Sequence, residues 1–234
     1  MKNLIIFGFF VMALIFVQFA KAQTVDEVVD KYIAAMGGKD KLISLKTIKM
    51  EGTMSTQGFD LSITNTKSHM TGLRMDIEVN GTSNYQVANK TKGSSFWPVR
   101  GMSEPEDMDA DQFKSAQNQM DLQGALCNYK DKGTTVELIG KEKADAGDAY
   151  HLKITYKNGL VTNYFIDATT YRLVKTSGKL NIGGQEQEIV TTYSDYKQNA
   201  DGYWFAYSVT NAQGTITYDK ISTNIAIDEN IYKN

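Results

Sequence analysis

Residues 48–64 read Ile-Lys-Met-Glu-Gly-Thr-Met-Ser-Thr-Gln-Gly-Phe-Asp-Leu-Ser-Ile-Thr, and their character changes at every step. Ile48, Met50, Gly52 and Met54 alternate with Lys49, Glu51, Thr53 and Ser55; after Gln57-Gly58, Phe59, Leu61 and Ile63 alternate with Asp60, Ser62 and Thr64. Successive side chains of a strand point to opposite faces, so a period of two marks strands with one apolar face each. The pattern continues in Leu73, Met75, Ile77 and Val79 against Arg74, Asp76, Glu78 and Asn80, then in Tyr85 and Val87. Asn80-Gly81 is a strong hairpin signal, because both residues tolerate the positive φ of a two-residue turn. This stretch predicts a run of antiparallel strands.

Downstream, the same period returns after Gly133 in segments 134–143, 148–157, 160–167, 171–181, 186–196, 203–210 and 214–227. Gly-containing connections separate them: Asp145-Ala146-Gly147, Asn158-Gly159, Gly183-Gly184, Asp201-Gly202 and Gln213-Gly214. Ser94–Arg100, with Phe96-Trp97-Pro98, reads as a short aromatic strand or loop. The total is roughly eleven strands. Upstream, Thr24-Val25-Asp26-Glu27 is a capping box, and Val25, Val28, Val29, Tyr32, Ile33 and Met36 follow at helical spacing up to Gly37-Gly38. A helical turn over Lys39–Leu45 is expected next. Between the two strand runs, Ser103-Glu104-Pro105-Glu106 has the form of a second helix start, with Phe113, Ala116 and Met120 on its apolar side. The expected architecture is one mainly β domain, a continuous curved antiparallel sheet with helical elements over about 24–45 and 104–126.

Composition narrows the function. Over 234 residues, 25 Lys and Arg against 27 Asp and Glu leave a net charge of −2, which offers no electrostatic footprint for nucleic acid. One Cys and two His exclude an internal disulfide framework and Cys-clustered metal sites. Lys2, the apolar run Leu4 to Phe19 and the small-x-small sequence Ala20-Lys21-Ala22 make a signal peptide. Cleavage after Ala22 leaves a domain of residues 23–234 in the periplasm. Position 23 is Gln, so the Cys that a bacterial lipoprotein acylates is absent there. Cys127, beside Ala125 and Leu126, reads as a buried small hydrophobe.

No hydrolase, P-loop, zincin or dinucleotide motif occurs. His69 and His151 lack a Ser or Cys signature to serve as catalytic bases. The acidic run Glu104, Glu106, Asp107, Asp109 and Asp111 fails the calcium-loop pattern, since the sixth and twelfth positions counted from Asp107 are Gln112 and Asn118. The sequence therefore predicts no enzyme, cofactor or metal. What remains is apolar: Met50, Met54, Phe59, Leu61, Ile63, Leu73, Met75 and Ile77 share one side of consecutive strands. Methionine adapts to varied shapes, and large curved sheets enclose more space than a few helices fill.

Tyr32-Ile-Ala-Ala-Met-Gly-Gly-Lys-Asp-Lys-Leu42 and Leu45-Lys-Thr-Ile-Lys-Met-Glu-Gly-Thr53 resemble the start of exported LolA-like proteins of the Bacteroidetes type, the outer-membrane lipoprotein-sorting superfamily. Tyr164-Phe-Ile-Asp-Ala-Thr-Thr-Tyr-Arg-Leu-Val-Lys175, Tyr193-Ser-Asp-Tyr196, Gly202-Tyr-Trp-Phe205 and Ile225-Ala-Ile-Asp228 extend the resemblance over nearly the whole chain. Trp204-Phe205-Ala206 departs from it where similar sequences usually place a Pro. The resemblance implies an incomplete antiparallel β-barrel whose open side is covered by a helical lid. It implies a periplasmic, monomeric carrier that holds the acyl chains of a lipid or lipoprotein and exchanges them with membrane donor and acceptor proteins. Met50, Met54, Phe59, Leu61, Ile63, Leu73, Met75, Ile77, Phe96 and Trp97 are then the candidates for lining the hollow. An envelope-stress sensory module of the same fold is the alternative, and a hydrolase a more distant one.

Overall fold

The computed structural model describes residues 23–144 and 147–233, so the signal peptide expected over 1–22 lies outside the described residues. Tight turns set the architecture. Asn80 and Gly81 adopt φ of 50° and 75°, and Gln57 and Gly58 adopt 48° and 83°, the left-handed pairs of hairpins whose twist matches their strands. The strands are β1 (Thr47–Thr56), β2 (Phe59–Ser68), β3 (Gly72–Val79), β4 (Thr82–Asn89), β5 (Gly93–Phe96) and the two-residue β6 (Glu106–Asp107). After the helical insert come β7 (Thr135–Ala144), β8 (Gly147–Thr155), β9 (Val161–Asp167), β10 (Leu173–Ile182), β11 (Gln185–Gln198), β12 (Trp204–Asn211) and β13 (Gly214–Thr223).

All thirteen form one antiparallel sheet in the order β6-β5-β4-β3-β2-β1-β13-β12-β11-β10-β9-β8-β7. Two meanders thus meet at the centre, where the first and last strands pair. The sheet stays open: β6 and β7 are its edges, and the insert between them crosses the gap. The expected count of eleven rises because the short β5 and β6 also join the ladder, Ser94 and Ser95 opposite Asp107 and Glu106. The last strand ends at Thr223, short of the expected 227.

Helix α1 (Val25–Ala35) starts at the capping box read from the sequence: Thr24 Oγ1 accepts from Glu27 N–H at 3.2 Å and Glu27 accepts from Thr24 N–H at 3.0 Å. Helix α2 (Lys39–Ser44) is the expected following turn. The helix expected over 104–126 is shorter. Residues 103–104 bend, Glu106–Asp107 pair as β6, and α3 (Ala110–Gln119) is capped by Asp109, in a capping box with Gln112. Gln119 ends it, and Gly124, at φ 82°, lies in the irregular segment that follows.

Three apolar clusters form the core. Val28 and Val29 of α1, with Leu126 and Tyr129 of the insert, pack on Val136, Leu152, Ile154 and Ile166. Ile48, Met54, Ile63 and Ile77 pack with Ile216, Tyr218 and Ile221 across the central seam. Ala116 and Met120, at the end of α3, pack on Leu73 and Ala88. On the outer face, a Cβ added to Gly72 would overlap the ring of Tyr232, whose hydroxyl shares a hydrogen bond with Ser68 Oγ at 3.0 Å.

The seam carries a bulge: Glu51 faces Lys220 while Gly52 faces Tyr218, leaving Asp219 unpaired. The backbones approach so closely there that a Cβ on Gly52 would strike the Thr217 carbonyl. Gly52→Ala should therefore cost about 2 kcal/mol or more in denaturant-measured stability, through forced displacement in a packed site. A change within about 0.5 kcal/mol, the range of surface substitutions, would contradict this account of the seam.

Candidate functional site

The strand registers define the inner face residue by residue. Met50 faces Asn65 on one side and Ile221 on the other; Met54 faces Leu61 and Ile216. Ile63 faces Ile77, Asn65 faces Met75, and Lys67 faces Leu73. On the other wing Val209 faces Ile216 and Tyr193, and Leu152 faces Tyr164. Met50, Met54, Phe59, Leu61, Ile63, Leu73, Met75 and Ile77 therefore share the concave surface. Trp97 joins them by packing on the same central cluster.

Phe96 does not. It stands opposite Tyr85, the two rings 5.7 Å apart, on the outer face with Arg74 and Asp76. The physical reason is the period of two: neighbours in a strand cannot both point inward. The others divide by depth. Ile63 is wholly buried, and Met54, Leu73 and Ile77 are buried in the clusters. Met50, Leu61, Met75 and Trp97 are only half-buried. Phe59, 66% exposed beside the Gln57-Gly58 turn, stands at the rim.

Tyrosines furnish the opposite wing, which the sequence reading did not single out. The hydroxyls of Tyr156 and Tyr164 share a hydrogen bond at 3.1 Å, and Asn65 Nδ2 donates to Tyr218 Oη at 2.8 Å. Burial pushes up the phenols of Tyr32, Tyr164, Tyr193 and Tyr196, and that of Tyr218 to about 12. These groups stay neutral in ordinary conditions. The signal was present as Tyr at inward positions, but apart from the neighbours Tyr156 and Tyr164 those positions lie on strands far apart in sequence.

Helix α3 roofs this surface, packing against β3 and β4 on one wing and β10 on the other. Its first turn is latched to the far wing by two carboxylates. Asp109 accepts from Gly183 N–H at 3.1 Å and Asp111 from Asn181 N–H at 3.2 Å. Asn158 Nδ2 donates to the Lys114 carbonyl at 3.1 Å. The segment after α3 is held to the near wing, where Met70 N–H reaches the Met120 carbonyl and Leu122 N–H reaches His69 Nδ1. Thus His69 is a lid support whose Nδ1 lone pair is occupied. His151 stacks on Phe165 at 4.7 Å on the outer face, and Cys127 is wholly buried, its thiol pushed up by burial.

An open pocket of about 440 Å³ lies where β12 and β13 splay apart beyond Ser208 and Thr217. Asp201, Tyr207, Asp219, Lys220 and Ser222 line it. Asn199, in the turn between β11 and β12, ties that turn to β13, donating to the Ile221 carbonyl at 3.2 Å and to Thr223 Oγ1 at 3.0 Å. Among the described residues no helix is long and apolar enough to cross a membrane, and no group of three or more His, Cys, Asp or Glu could hold a metal ion.

No family model and no curated protein matches the chain. Solved structures do. A domain ascribed to the outer membrane lipoprotein-sorting proteins, from Vibrio parahaemolyticus, is 16% identical, with a TM-score of 0.52 over 88% of this chain and 95% of its own. A LolA superfamily protein from Nitrosomonas europaea is 11% identical, with a TM-score of 0.55 over 91% and 99%. A DUF1329 family protein from Desulfovibrio piger is 13% identical, with a TM-score of 0.57 over 91% and 98%. The fold is LolA-like: an incomplete antiparallel barrel beneath a helical lid.

The latch should respond to acid. The Lys114 ammonium and the Asn181 N–H hold the Asp111 carboxyl below its ordinary range. A group whose folded pKa is depressed contributes stability that is complete above its unfolded pKa and is lost as pH falls through the folded one. Amide-exchange protection of α3 should hold from neutral pH to about pH 5 and decline as pH falls through and below the ordinary Asp range, and Asp111→Asn should flatten that decline. Protection that falls equally in the variant would contradict the assignment.

Proposed function

We propose that this LolA-like chain is a periplasmic carrier or binding protein that holds acyl chains between its concave sheet and α3, without chemistry of its own. The observation that carries the reading is the half-burial of Met50, Leu61, Met75 and Trp97. The roof already spans their wing, yet these large apolar side chains, packed against the central cluster on one side, keep part of their surface uncovered. Apolar surface left this way costs free energy in water and regains it when hydrocarbon covers it. Methionine on that surface fits chains of differing length and kink.

The energetics bound the task. Each buried CH₂ contributes about 0.8 kcal/mol, so a 16-carbon chain leaving a bilayer forfeits roughly 12 kcal/mol. A carrier must replace most of this with its own contacts and exceed it little, or it would never release the cargo. An adaptable lining of Met and Leu suits that balance better than a rigid, shape-matched slot. The cargo is an acylated lipid or lipoprotein, received from one membrane component and passed to another.

Displacement of a fluorescent long-chain acyl probe tests the reading. Wild-type protein should bind the probe, and Met75→Asp should weaken binding at least tenfold while the circular dichroism spectrum is retained, because an ionised carboxylate would sit among hydrocarbon. Undiminished binding by the folded variant would refute the placement of the hollow.

A further inference from the structure

The inward positions of β1–β4 and β13 are apolar or uncharged with one exception. Along β1 they are Ile48, Met50, Gly52, Met54 and Thr56; along β3, Leu73, Met75, Ile77 and Val79. Lys67 interrupts them, on β2 between Ile48 and Leu73. Leu73, its direct neighbour, packs against Met120 at the end of the roof helix, so Lys67 lies under the lid.

Among the described residues no ion pair or hydrogen bond engages this lysine. Burial alone displaces its pKa, down to about 8, with neither an opposite charge nor a hydrogen bond contributing. The polar groups nearest it along the same face are engaged with each other, Asn65 with Tyr218. Asp121, the acid of the lid segment, is bound to Lys132 and approached by His69. The residue is half-buried on the inward register of β2, beside the Leu73 that Met120 covers. A buried cation without a partner is destabilising, and such a cost is commonly met at binding sites, where a ligand supplies the missing charge.

We infer that Lys67 is the anchor for an anionic head group, and that the hollow takes single-chain or chain-splayed amphiphiles bearing a carboxylate or a phosphate. This rests on the carrier reading above and sharpens it, since an uncharged acyl group alone leaves the ammonium unmatched. A charge-assisted hydrogen bond from Nζ would fix the head, and the chain would run along Met50, Met75 and Leu61 towards the rim at Phe59.

Three ligands of equal chain length, palmitate, hexadecyl phosphate and hexadecanol, separate the possibilities by competition against a fluorescent acyl probe near neutral pH. The wild type should prefer at least one anionic ligand over hexadecanol by tenfold or more. The anion preferred identifies the head group as a fatty-acid carboxylate or a phospholipid-like phosphate. Lys67→Met should lose that preference through weaker anion binding, keep its hexadecanol affinity, and melt several degrees higher when empty, because the unpaired charge is gone. Lys67→Arg should retain the preference. Equal wild-type affinities for all three ligands, or a preference surviving in Lys67→Met, would overturn the anchor while leaving the hollow intact. Failure of every ligand, hexadecanol included, would instead overturn the carrier reading on which the anchor rests.

Discussion

The ladder between β1 and β13 holds the structure together. Each meander, β1 to β6 and β7 to β13, is local and could form from neighbouring hairpins. Only the pairing of Ile48–Ser55 with Thr215–Thr223 makes them one sheet. That seam also aligns the two inner faces, because its register sets Met50 beside Ile221 and Met54 beside Ile216. The bulge at Asp219 adds local bend to strands whose ordinary twist already curves the sheet. Open edges at β6 and β7 would invite pairing with other chains. Their protection differs: β6 is two residues long, while β7 carries Lys141 and Lys143.

On this curved face the core resolves into three clusters, and Met50, Leu61, Met75 and Trp97 stay half-buried beside the central one. The two wings differ in chemistry. One is aliphatic and rich in methionine; the other carries neutral, hydrogen-bonded tyrosines that offer apolar ring surface with a polar tip. Holding α3 across them falls to carboxylate-to-backbone bonds of Asp109 and Asp111 and to Asn158 on the far wing, and to the apolar packing of Ala116 and Met120 on Leu73 and Ala88 on the near one.

Much of this was legible in the sequence. Alternation from Ile48 to Val79 located three strands and their inward faces, and Asn80-Gly81 and Gln57-Gly58 located two hairpins. Thr24-Val25-Asp26-Glu27 located α1. The Ser103-Glu104-Pro105-Glu106 signal misled because it imitates a cap, whereas tertiary pairing with β5 draws Glu106 and Asp107 into the sheet and moves the start to Asp109. Phe96 misled because four residues of β5 are too few to show which face is inward; only the register with Tyr85 decides it. Lys67 was invisible because Ile63-Thr-Asn-Thr-Lys67 loses its apolar alternation just where the strand passes beneath the lid. The tyrosine wing depends on contacts between strands distant in the chain, which no local period reports.

The central claim, that the roofed concave face takes up hydrocarbon, is tested most directly by native mass spectrometry of the protein isolated intact from the cells that make it. The account predicts a population carrying one acyl-bearing molecule, shed when collisional activation unfolds the chain. A bare mass that remains bare after incubation with long-chain amphiphiles would contradict it.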